Sequence, residues 1–126
     1  MKRALLGLAV GAIGYCLIFR AEAQNIQTST GLVCNKAEQV AEVGALSVEK
    51  SFREAVELVN SKDDNACGVI TAAYYVGEPA KRITVAGKVY QISEIWIIAV
   101  NVGGQWQRLK EPELQFAPFT IEENPA

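Results

Sequence analysis

The chain has no histidine. Without an imidazole there is no Ser-His-Asp or Cys-His triad, no histidine acid–base pair and no histidine-ligated catalytic zinc. G-x-G-x-x-G, Walker and nucleophile-elbow patterns are missing too, and with them the usual phosphate cradles and strained nucleophile turns. No two cysteines have C-x-x-C spacing, which removes a redox pair and a four-ligand zinc set. No basic run is longer than Lys81-Arg82, whereas nucleic-acid binding demands a basic patch or stripe. A nucleic-acid partner is rejected on that ground. No internal repeat or low-complexity tract is present, and no cofactor or metal is expected.

What is present begins at the N-terminus. Met1-Lys2-Arg3 is basic, Ala4 to Phe19 is an apolar run of 16 residues, and Ala21-Glu22-Ala23 is a small-x-small box. That order predicts a secretory signal peptide over residues 1–23, cleaved between Ala23 and Gln24. An uncleaved anchor is the alternative, since spanning a bilayer core takes about 20 apolar residues and this run falls just short. Lipidation at Cys16 is disfavoured, because Tyr15 is too bulky for the preceding position and apolar residues continue to Phe19. Cys16 is then an apolar residue discarded with the leader.

Cleavage leaves residues 24–126, with nine basic and thirteen acidic side chains and a formal charge of −4. The product is periplasmic or secreted, and no later apolar run approaches the length of a membrane span. Cys34 and Cys67 survive, and in an exported chain an even pair reads as one disulfide. Two buried free thiols are the alternative. Bonded, the pair contributes up to about 3.5–4 kcal/mol by the chain-entropy argument.

Residues 24–30 are polar and read as a flexible tail, ahead of a single globular domain over 31–122 and a frayed end over 123–126. Asn35 with Glu38 reads as the capped start of a short helix that Gly44 stops. A second helix is expected from an N-cap at Ser47, with Val48, Phe52, Ala55, Val56 and Val59 forming its apolar stripe. From Cys67 the residues become β-branched and aromatic. Cys67 to Val76, Arg82 to Ala86, Lys88 to Val102, Gln105 to Leu109 and Leu114 to Ile121 read as five strands. Gly87 and Gly103-Gly104 mark tight hairpins, while Gly77-Glu78-Pro79 and Pro112 read as breaks. The middle of the third of these strands is apolar on both faces. The expected fold class is α+β, with two N-terminal helices packed on a mostly antiparallel, hairpin-linked sheet of about five strands. A small SH3-like barrel of those five strands under a helical cover is the alternative.

Two side chains stand out as weak binding candidates. Glu94 interrupts the apolar face between Ile92 and Trp96, so it is either a functional carboxylate or sits at a bulge that turns it to solvent. Trp106 follows a glycine turn, where an exposed ring can stack on a sugar or anchor a protein; otherwise it closes the core. Asp63-Asp64-Asn65 lacks the spacing and glycine of a calcium loop and reads as a solvated turn.

Thr30-Gly31-Leu32-Val33-Cys34, Gln39-Val40, Ala66-Cys67-Gly68-Val69 and Gly103-Gly104-Gln105-Trp106 together resemble a group of small exported proteins of Gram-negative bacteria. The likeness covers most of residues 30–123. It implies export and a paired-cysteine domain, and no activity or catalytic residues. The expected function is a non-catalytic binding or interaction module for an envelope protein or glycan. A carboxylate-dependent envelope enzyme using Glu94, or a purely structural envelope or stress protein, are the alternatives.

Overall fold

The computed structural model describes residues 26–121. The expected leader, its cleavage point, Cys16 and the frayed end over 123–126 lie outside the described residues. Element order is β1 (Gln27–Cys34), α1 (Ala37–Leu46), α2 (Phe52–Lys62), β2 (Cys67–Val85), β3 (Lys88–Val102) and β4 (Gln105–Thr120). All strand pairings are antiparallel, and the four strands close into a barrel in the order β1-β2-β3-β4. This corrects the expectation of helices on a sheet of about five strands. It equally corrects the alternative of a barrel made from the last five.

The miscount has one physical cause. Gly77-Glu78-Pro79 and Pro112 do not end strands, because β3 pairs continuously past both. Opposite the first, β2 shifts register between Val76 and Pro79 and again before Lys81. Opposite the second, Ile97 faces Glu113 and Ala99 faces Arg108, so β4 absorbs Leu109 to Pro112 where β3 has only Ile98. Such extra residues bend and twist a strand without terminating it. The remaining strand, β1, lies before the helices. Residues Gln27 to Thr30, expected as tail, pair with Thr71 to Tyr74, and the Thr30 and Thr71 hydroxyls meet at 2.6 Å. Their polarity reflects an exposed strand, not an unstructured one.

Both two-residue hairpins are as read. Ala86 and Gly87 have φ of 51° and 82°, and Gly103 and Gly104 have 62° and 87°, the pattern of a primed turn. The helix boundaries differ. Lys36 caps α1, its amide donating to Gln39 Oε1 at 3.0 Å, while Asn35 bonds Ala66 and Gln115 instead. Gly44 lies inside α1, not beyond it: a Cβ there would come within 3.1 Å of both Ile83 and Val85, so the glycine serves close helix–sheet approach. Ser47 follows α1, its hydroxyl donating to the Gly44 carbonyl. The cap of α2 is Ser51, whose Oγ accepts the Glu54 amide at 3.1 Å while Glu54 Oε1 accepts the Ser51 amide. Of the expected stripe, Ala55 and Val59 are buried, and Val48 and Phe52 are exposed.

Two apolar clusters result. The helices bury Val40, Val43, Ala55 and Val59 against the outer face of the barrel at Cys34, Cys67 and Ile92. The lumen holds Ala72, Tyr74, Ile95, Ile97 and Ala117. β3 is thus covered on both faces where Ile92 points out and Ile95 points in. Within the helical layer Gln39 of α1 donates to Asp63 Oδ2 at the end of α2 at 2.9 Å, and Lys62 pairs with Glu42 across the two helices.

Candidate functional site

Cys34 and Cys67 are disulfide-bonded and directly opposite each other at the end of β1. The side chain of Asn60 bonds both backbone groups of Cys67: Oδ1 accepts its N–H at 2.8 Å and Nδ2 donates to its carbonyl at 3.0 Å. The Cys67 backbone therefore faces α2, and Cys34 and Cys67 form the closely spaced, non-hydrogen-bonded kind of pair, with a Cα separation of 4.1 Å. Alternation along an antiparallel strand then fixes the direction of every other peptide group in β1. Ser29, Gly31 and Val33 turn theirs to β2; Thr28, Thr30 and Leu32 turn theirs away from it.

What lies on that other side is β4, and it is reached at one point. Cys34 pairs with Phe116, and this is the single register pair between β1 and β4 among the described residues. Continuing the register would set Leu32 against Pro118, which has no N–H to donate. Register pairing between the two strands stops there, leaving a seam between the first half of β1 and the last residues of β4.

The lumen shows through this seam as a cavity of about 250 Å³. Its wall is mostly apolar, with Val33 and Ile70 on one side, Ile95 at the back and Phe119 on the β4 side, while Gln27, Ser29 and Thr30 give it a polar rim along β1. Tyr74 stands against Phe119 with ring centroids 6.3 Å apart, and its hydroxyl meets Ser29 Oγ at 2.9 Å. Among the described residues no charged side chain lines the opening. Such a wall recognises an uncharged, largely apolar group, and the Ser29–Tyr74 hydroxyl pair and the polar β1 rim can orient it. At the far end the lumen is hollow again, about 420 Å³, with Glu113, Gln115 and Asn65 on its rim.

The two candidates read from the sequence are elsewhere. Glu94 points out of the barrel, half-buried beside the β2 bulge. Its Oε1 accepts the Glu78 amide at 3.1 Å, and Gly77 packs so close that a Cβ would lie 2.8 Å from that oxygen and 3.0 Å from Trp96 Nε1. The bulge is on the neighbouring strand, and it comes to the carboxylate instead of turning it to solvent. Trp106 is 49% exposed near the β3–β4 turn, opposite Asn101 and remote from the seam. Neither joins the cavity or the other. The seam itself carried two sequence signals, an uncharged Ile26 to Cys34 stretch and Pro118 in the last strand, and only the fold sets them side by side. No match to this chain is found among protein-family models, curated proteins or solved structures.

Proposed function

We propose that the domain is an exported, non-catalytic binding module whose ligand seats in the mouth of the barrel between β1 and β4. The supporting observation is the uncharged apolar cavity open along that seam. Apolar wall left in contact with water along that seam favours a ligand that removes it from solvent. The reading is non-catalytic because Tyr74 is the one titratable side chain on the cavity wall among the described residues, and the Glu94 carboxylate is engaged by a backbone amide on the outer face. Export is supported by the Cys34–Cys67 bond, which persists in oxidising compartments. Among the described residues no helix is long and apolar enough to cross a membrane.

The test uses a neutral fluorescent probe, N-phenyl-1-naphthylamine, titrated into the mature protein. Saturable fluorescence enhancement is expected, and Ala117→Leu, which pushes a larger side chain into the cavity, is expected to weaken it about tenfold or more. No saturable enhancement, or enhancement indifferent to Ala117→Leu in a folded variant, removes this site.

A further inference from the structure

We propose that the natural occupant of the seam is an extended, uncharged polypeptide segment that adds to β1 as a fifth strand and places alternate apolar side chains in the lumen. The inference rests on the binding reading above and names its partner class. The backbone supplies the first argument. Thr28, Thr30 and Leu32 present N–H and carbonyl groups to the seam at every second position, and an added strand satisfies such groups in one ladder. The lumen supplies the second, because the cavity wall begins directly beside this edge, where a strand's inward side chains would enter. Main-chain pairing plus pockets for alternate side chains is how strand addition obtains both affinity and selectivity.

Charge supplies the third argument. Exposed edges are normally protected by lysine, proline or short length. β4 carries Lys110, Pro112 and Pro118, whereas Ile26 to Cys34 holds no charge and no proline. An edge without these guards, beside a cavity that no charged side chain lines among the described residues, fits an uncharged segment. A second copy of the chain fits less well. It would arrive with its own β2 alongside its β1, and the far side of the seam is already bounded by Ala117, Pro118 and Phe119. A lone strand has no such companion.

The experiment titrates the mature protein with an end-blocked heptapeptide alternating threonine and valine, and follows backbone amide exchange by NMR. Expected is slowing of about tenfold or more at Thr28, Thr30 and Leu32 with little change at Ser29, Gly31 and Val33, since only the former face the seam. The same peptide N-methylated at alternate residues should fail. Thr28→Pro removes a seam-facing N–H, no β1–β2 hydrogen bond and no cavity-lining side chain, so it should abolish peptide binding yet leave the fold and naphthylamine binding intact. If Thr28→Pro does not fold, Thr30→Pro tests peptide binding at the cost of the Thr30–Thr71 hydroxyl contact, and if neither folds the amide pattern decides. Naphthylamine binding with no amide protection by the peptide overturns strand addition and leaves the cavity reading standing. Protection of the same amides by rising protein concentration alone assigns the edge to a second copy and also overturns it. Undiminished peptide binding by a folded Thr28→Pro does so too. Loss of naphthylamine binding itself is the failure of the parent reading.

Discussion

Ala86 occupies the first position of the β2–β3 turn with φ of 51°, in the left-handed region where a Cβ meets the following carbonyl. The primed turn requires positive φ at both central residues because only that twist matches the strands it joins. The β3–β4 turn meets the demand with Gly103 and Gly104; this one meets half of it with Gly87 and strains an alanine for the rest. The strain is local, since the alanine sits at a turn tip and serves no packing contact that a polar side chain would lose. Ala86→Asn is therefore expected to stabilise the domain by about 0.5–1 kcal/mol, because asparagine adopts this conformation more readily and Asn-Gly is the preferred pair. Urea denaturation with an unchanged m-value would show it. A variant no more stable than the parent refutes the strain argument.

At the scale of elements, α2 is held at its start by Ser51 and Glu54, and that cap carries a pH dependence. Hydrogen bonds from the Ser51 backbone and hydroxyl, with a smaller contribution from Lys50, hold the Glu54 carboxyl below its ordinary range. A carboxyl lowered on folding stabilises above its unfolded value, about 4.3, and that stabilisation disappears as pH falls through the folded value. Glu54→Gln retains an acceptor without the charge. The parent should be the more stable of the two at neutral pH, and the gap should close on acidification below the ordinary carboxylate range. A gap constant from pH 7 to pH 3 would refute the mechanism. The Ser-x-x-Glu pattern was available in the sequence, yet the longer apolar stripe from Val48 drew the start one turn early. Turns and apolar strands were legible because Gly87, Gly103-Gly104 and the β-branched runs act locally. Strand number was not, because whether Pro79 or Pro112 ends a strand or bends it depends on β3 pairing past it. The seam was not legible for the same reason: Pro118 matters only because Cys34 is paired next door.

For the whole molecule, the decisive contact is the place where four elements meet. Cys34 is bonded to Cys67 and paired with Phe116, and Asn60 of α2 holds the Cys67 backbone. The disulfide thus fastens β1, a strand with one partner along most of its length, to a core formed by β2, β3 and β4. Without it β1 keeps its ladder to β2 but loses the constraint that spans α1 and α2. Cys34→Ala with Cys67→Ala should cost up to about 3.5–4 kcal/mol, the entropy of a loop of this length, on a total of about 5–15 kcal/mol. The loss should also be uneven. The amides of Ser29, Gly31 and Val33, which bond β2, should exchange through a local opening well below the global unfolding free energy, while β3 amides exchange only by global unfolding. In the disulfide-bonded protein the two sets should lie closer together. Native-state hydrogen exchange of both forms measures this directly. Equal loss of protection in β1 and β3 would mean that the bond stabilises the barrel as one unit and does not hold the seam at its closed end.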